Sequence, residues 1–352
     1  MKKVTPRIFS LLALLMVMNG SAWAEGESLI EKRKTLVKVF EVSTKDQLLI
    51  DNQYGHVKIH LWDKKEIRVE VVVTANASTD ERALSYLRSV LIEEKREGKQ
   101  IMLRTSIDRA AYGSSSWNSW KSTKEDKNAI QIDYTVTMPK ENALSIRNRF
   151  GDTTIPAFLA PLTVESRYGN FYATKLQNES NILEIVDGNI NIGEVVGGNF
   201  NVRNCNLQLD RAGVLQLINK LGNLSIKDVS CLNANIDYSE AKIGTLRESG
   251  IIKLSFSDGF SIGQLPQSAA NVDIRATYSP VVLPAESSQF NVTVSHGNFS
   301  YPEGVKVNFV SPPAVRGSQP SQSTRQYEGQ VGNGTGTRIK VVSTYGNVRL
   351  KE

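Results

Sequence analysis

The sequence is poor in the residues that most site chemistry uses. Two cysteines, Cys205 and Cys231, in 352 residues rule out a disulfide-stapled scaffold. They fall at different phases of the repeat described below, so they are expected as free thiols. Histidine occurs three times, at His56, His60 and His296. His56 and His60 sit four apart on a strand and share a face, but no third ligand or arranged carboxylate accompanies them. They read as solvated strand residues, and neither metal nor cofactor is expected. No G-x-S-x-G, H-E-x-x-H or P-loop pattern is present. Neither sign of charge dominates, with 42 basic and 36 acidic residues. A net charge of +6, dispersed along the chain, argues against a nucleic-acid partner.

Long apolar runs are also missing after the first residues. Lys2, Lys3 and Arg7, the apolar stretch Ile8–Met18 and Ala22-Trp23-Ala24 before Glu25 have the order of a secretory signal peptide. Its cleavage after residue 24 would remove three basic residues and no acidic ones, leaving +3. No later stretch is long and apolar enough for a transmembrane helix. An exported protein without a transmembrane anchor is expected, in the periplasm, on the outer surface or outside the cell.

What the chain does contain is one pattern, written many times. In Leu162–Ala173 (LTVESRYGNFYA), apolar residues alternate into a Tyr-Gly-Asn tip and alternate out of it. Alternation of period two is a half-buried strand, and aromatic-Gly-Asn is turn chemistry. The pattern recurs at Leu144–Ile155, Leu215–Ile226, Val272–Leu283, Phe290–Tyr301 and Ile339–Leu350. From Leu144 to about Tyr301 the tips fall at Gly151, Gly169, Gly188, Cys205, Gly222, Ser239, Asp258, Ser279 and Gly297, 17 to 21 residues apart. Apolar rows run two and four residues after each tip. A third row, seven after, holds Phe158, Leu176, Val195, Ala212, Val229, Leu246 and Leu265 and fails at Glu286.

Three in-phase rows predict an all-β β-solenoid with coils of about 18 residues, stacked roughly 4.8 Å apart. An antiparallel meander of hairpins is the competing fold, but it offers no third side for the third row.

Residues 25–140 read as an N-terminal β-rich region. Glu25–Lys34 is polar and expected to be loose, Leu36–Val42 and Gln47–Asp51 read as strands, and an early copy of the repeat surrounds Tyr54-Gly55-His56. Glu66–Thr74 alternates strongly. Within 79–89 the period changes to that of a short helix, with Thr79 or Ser78 as cap and Ala83, Leu84 and Leu87 as the apolar stripe. The segment 109–128, rich in Ser, Lys and Gly, reads as a mobile loop. The solenoid repeats cover 141–310, a Pro/Ser/Gln/Gly-rich flexible loop covers 311–337, and 338–352 reads as a terminal repeat or cap, with Lys340, Arg349 and Lys351 guarding its edge.

Three segments resemble a known group. IDNQYGHVKIHLWDKKEIRVEV (Ile50–Val71), IDYTVTMPKENALSIRNRFGD (Ile132–Asp152) and YEGQVGNGTGTRIKVVSTYGNVRL (Tyr327–Leu350) are similar to the bacterial adhesin-like domains of unknown function that form β-solenoids in exported envelope proteins. The resemblance extends over nearly the whole mature chain. It implies an envelope or surface role and is nearly silent on biochemistry.

Function is therefore read as non-enzymatic: an interaction module presenting a rigid face to a protein or glycan. One rival is a carbohydrate-active enzyme on a β-helix scaffold, which would need ionisable side chains converging from adjacent coils. Asp187, Asp210, Asp228 and Asp258 lie at different phases and build no such cluster. Another is a periplasmic envelope-stress accessory protein. The candidate contact residues are Trp117 and Trp120, in a loop too polar for a core of its own; packing under that loop is the alternative. The tip aromatics Tyr54, Phe150, Tyr168, Tyr278 and Tyr345 are expected to stack into a ladder that locks the turns.

Overall fold

A computed structural model describes residues 29–108, 129–266, 269–285, 287–303, 305–310 and 324–351. The expected signal segment, the loop 109–128 with Trp117 and Trp120, and Glu286 lie outside the described residues.

The chain opens with β1 (Ile30–Glu41), β2 (Gln47–Gln53), β3 (Val57–Trp62), β4 (Glu66–Ala77), α1 (Asp80–Ser89), β5 (Val90–Glu97), β6 (Gln100–Ile107) and β7 (Ile130–Pro139). It continues through β8 (Ala143–Arg149), β9 (Thr153–Phe158), β10 (Leu162–Arg167), β11 (Phe171–Leu176) and β12 (Asn181–Ser255), a single extended run that passes through four tips. Then come β13 (Gly259–Gln264), β14 (Asn271–Thr277), β15 (Val281–Pro284), β16 (Ser288–Ser295), β17 (Phe299–Ser300), β18 (Lys306–Val310), β19 (Thr324–Val331), β20 (Thr337–Thr344) and β21 (Val348–Lys351). All belong to one 21-stranded sheet.

Two ladders organise that sheet. The strand before each tip pairs, parallel and in register, with the strand before the next tip: Leu48 with Leu144, Leu144 with Leu162, Val164 with Leu183. The strand after each tip does the same, as in Thr153 with Phe171 and Phe171 with Ile190. Parallel pairing excludes a meander of hairpins. The alternation in the sequence has its cause here, because every second side chain of both ladders points into one core. Ile192, Leu209, Ile226 and Ile243 are buried, and so are all seven residues of the third row. Fully burying such an aliphatic side chain contributes roughly 1.5–3 kcal/mol.

Both ends of the ladders are closed by antiparallel strands. At one end β1 pairs with β4, β4 with β7, and β5 with β6, while α1 packs on β1 and β4. The helix starts where its chemistry allows, since Thr79 Oγ1 accepts from the Arg82 amide at 3.3 Å. The segment 30–34, expected to be loose, is strand. Its charged residues hide the alternation, but the register with β4 continues to Ile30 opposite Ala77, and Lys32 reaches Asp80 at 2.9 Å.

Chain order and stacking order part company at the other end. The last repeat is not a terminal coil. β20 lies between β14 and β16, parallel to both, with Ile339 beside Val272 and Phe290. Lys340, read as an edge guard, stands on the outer face of an interior strand. The closing strands are instead β19, antiparallel to β16, and β18 beyond it. Residues 324–331, expected within a flexible loop, form that β19 strand. Polar composition concealed it, because its pairing partner rather than an apolar alternation holds it extended. One tip also moves: the left-handed residue is Phe256, so Ser257 takes the tip position expected for Asp258, and Asp258 is an extra residue before Gly259, which pairs with Glu240.

A polar network lies inside the first coils. Thr105 Oγ1 donates to Asn52 Oδ1 at 3.0 Å and lies 2.9 Å from the Tyr134 hydroxyl. Asn52 Nδ2 donates to the Asn148 side-chain oxygen at 3.2 Å and to the Ile132 carbonyl at 3.0 Å. Burial pushes the Tyr134 phenol up to about 12. These groups stay neutral and joined, which is what a dry interior requires.

Cys205 and Cys231 are both free. Cys205 is buried at a tip, and burial raises its thiol pKa, whereas Cys231 is half-exposed near Glu248. A thiol reagent should therefore modify Cys231 in the native protein and Cys205 only on unfolding, two thiols in all. A denatured count below two in the unreduced monomer would contradict this arrangement.

Candidate binding face

Each tip is held by a residue in the left-handed backbone region. Among the described residues, eleven non-glycine positions have φ between 50° and 63°, from Tyr54 to Tyr345, one per tip. Such a residue costs about 1 kcal/mol or more. Across the stack its amide bonds the neighbouring coil, as Tyr54 N does to Arg149 O at 2.8 Å and Phe150 N to Arg167 O at 2.9 Å.

Aromatic side chains in this column stack as expected. Tyr54, Phe150 and Tyr168 form one ladder with ring centroids 5.0–5.2 Å apart. Tyr238, Phe256, Tyr278, Tyr345 and His296 form a second, at 4.6–5.2 Å. Stacking spends the ring faces on one another, so the ladders lock turns and leave mainly ring edges to solvent.

Between the two ladders the column changes character. Asp187, Asn204 and Leu221 replace the rings, with Asn204 donating to Asp187. Just past the tip an asparagine chain runs through the same coils. Asn189 donates to Asn170 at 3.0 Å, Asn206 to Asn189 at 3.1 Å and Asn223 to Asn206 at 3.1 Å. These amides are consumed within the protein.

On the outer face of the strands before those tips, a groove of about 320 Å³ crosses four consecutive coils. Each coil contributes two outward residues, three and five positions before its left-handed residue. Five are amides: Asn199, Asn201, Gln216, Asn233 and Asn235. Among the described residues none of their side chains makes a hydrogen bond within the protein. Ile182 and Ile218 add exposed apolar surface, 42% and 39% accessible, and Glu184 is the one charged side chain in the lining. The face is charged on both sides of the groove. Arg147 meets Glu165 at 3.3 Å on the earlier coils, and Asp273 and Arg275 occupy the equivalent positions on β14.

No arranged acid–base set accompanies the groove. Asp210 is paired with Lys227 at 2.6 Å. Asp228 is bonded by the Arg247 guanidinium, which holds its carboxyl below the usual range. Among the described residues no three His, Cys, Asp or Glu side chains gather as a metal site, and no helix is long and apolar enough to cross a membrane. His56 is engaged at the tip, its Nδ1 accepting from the Asp152 amide at 3.4 Å.

Sequence reading did not find the groove. The signal was there, in the N-x-N pairs 199/201 and 233/235 at one phase of the repeat, but it shows only once outward positions are aligned coil by coil.

No protein-family model matches the chain, and neither does any curated protein. Solved structures resemble it over 91% of its length. They include a putative cell adhesion protein from Clostridium sporogenes, 12% identical over 99% of that chain with a TM-score of 0.20. A putative lipid binding protein from Parabacteroides distasonis is 9% identical over 97% of that chain, TM-score 0.35. A putative adhesin from Parabacteroides merdae is 11% identical over 97% of that chain, TM-score 0.33. At identities and TM-scores this low, the likenesses do not bear on what this chain binds.

Proposed function

We propose that this chain is an exported, non-enzymatic β-solenoid module that binds a protein or glycan of the cell envelope or of another cell. The in-register parallel ladders and the single column of left-handed tips support the solenoid. The observation that carries the binding role is the outer face of coils 182–235, where five unbonded amides and two exposed isoleucines stand on a rigid backbone. Rigid presentation lowers the entropic cost of binding, and an amide-rich patch with a single charge, Glu184, between more highly charged neighbours selects its partner.

The test is a pull-down from native envelope with the purified mature protein, compared with a variant whose groove is blocked by Asn201→Arg. Loss of a captured partner with an unchanged melting temperature supports the reading, whereas identical capture by both proteins removes the groove.

Trp117 and Trp120 are proposed as a second contact, because tryptophan is enriched among residues that dominate binding energy. In the same pull-down, the double change Trp117→Ala, Trp120→Ala should weaken capture and leave the melting temperature unchanged. A lowered melting temperature with intact capture would instead assign both rings to packing.

A further inference from the structure

We propose that the groove on coils 182–235 binds an uncharged glycan chain laid along the stacking direction; this rests on the interaction-module reading above. An amide side chain offers a carbonyl acceptor and an N–H₂ donor together. A sugar hydroxyl is likewise donor and acceptor, so a row of amides meets a row of hydroxyls with no group left unmatched. Phosphate, sulfate or carboxylate ligands ask for guanidinium or ammonium groups, and none lines the groove. An acidic or basic peptide would be drawn to the charged coils on either side, where Arg147 and Glu165, or Asp273 and Arg275, stand at the equivalent positions.

The amides of these coils divide into two sets. Asn170, Asn189, Asn206 and Asn223 bond one another around the tip. Asn199, Asn201, Gln216, Asn233 and Asn235 bond nothing within the protein among the described residues. The second set therefore keeps its hydrogen-bonding capacity for what lies outside. Ile182 and Ile218 supply apolar surface for the C–H faces of sugar rings, a part more often taken by aromatics. The repeat supplies the spacing. Coils stack roughly 4.8 Å apart, close to the length of one pyranose unit along a chain, so four coils match about four sugar residues.

Each amide contact competes with water and must order a free side chain, so a single sugar should bind weakly. Affinity should come from length. A glycan held this way is also insensitive to salt, because no counterions are displaced.

The experiment is calorimetric titration of the full mature chain with neutral gluco-, manno-, galacto- and N-acetylglucosamine oligomers of one to six residues. Oligogalacturonate serves as the acidic counterpart. The variant is Asn201→Asp with Asn235→Asp, which keeps shape but removes two donors and adds charge on an exposed face. The expected result is binding of at least one neutral series, with affinity rising to about four residues and then levelling. The double variant should lose at least about tenfold, with an unchanged melting temperature and no salt dependence in the native protein. Asn201→Gln with Asn235→Gln, which keeps the amides, should retain part of the affinity.

The inference is overturned if no neutral series binds, if binding survives the aspartate variant, or if only the acidic oligomer binds and salt abolishes it. A protein captured from envelope through the groove, with no glycan bound, would also overturn it while leaving the interaction-module reading standing. Loss of groove-dependent capture and of glycan binding together would remove both.

Discussion

Ile226→Asp should lower the stability of the protein by roughly 3–5 kcal/mol. Ile226 lies in the inward row with Ile192, Leu209 and Ile243, and is 1% exposed. Aspartate there removes a large aliphatic side chain and puts a carboxylate among neighbours with no hydrogen bond to offer. Burial would raise that carboxyl's pKa above its unfolded value, so the deficit should be larger at neutral than at acid pH. Lys227→Asp is the control, one residue along on the outer face. It loses an exposed pair with Asp210, whose Nζ–Oδ1 distance is 2.6 Å, and sets two carboxylates near each other. Surface pairs of this kind contribute about 0–1 kcal/mol, so its melting temperature should barely move. Equal melting temperatures for the two variants would put Ile226 on the wrong face.

Gly169→Ala should cost about 3 kcal/mol or more, at the upper end of what overpacking usually does. A Cβ on Gly169 would stand 2.0 Å from the carbonyl oxygen of Gly151 and 2.6 Å from its carbon. Those atoms are backbone and cannot rotate away. They are held by the ladder itself, in which Phe150 N bonds Arg167 O at 2.9 Å and Tyr168 N bonds Val186 O at 3.0 Å. Relief would require two coils to separate at the tip. Other tips carry side chains, at Cys205, Ser239, Ser257 and Ser279, so the requirement belongs to the local spacing and not to the repeat position as such. Gly259→Ala is the matched control: its Cβ would meet nothing within 4 Å and its φ is not left-handed. It should stay within about 0.5 kcal/mol of the parent. A melting curve in which the two alanine variants coincide would mean that the coils can part without penalty.

The repeat makes its own geometry legible. Period-two alternation around a turn, with a third row half a period away, states which side chains point inward, and Ile192, Leu176 and Phe158 do. Thr79 ahead of Asp80 and Glu81 marks the helix start, and the change of period marks its body. A short-range pattern states a short-range fact, because the strand or turn that a dozen residues adopt depends mostly on those residues.

What the chain alone decided is thus the strand phase, the tips, the helix and the freedom of the two cysteines. Stacking order was decided by the tertiary structure. Ile339–Leu350 carries the same apolar phase as its neighbours and would fit any coil, so nothing in it says that β20 inserts between β14 and β16. Nor does the polar segment around Tyr327 announce a strand, since β19 is extended only because β16 offers it an edge. The groove belongs to the same class. Asn199 and Asn233 are ordinary outward residues until coil stacking lines them up on either side of Gln216. Asn206 and Asn223 have the same chemistry but hydrogen-bond within the asparagine chain, because stacking sets them within reach of each other at the tip.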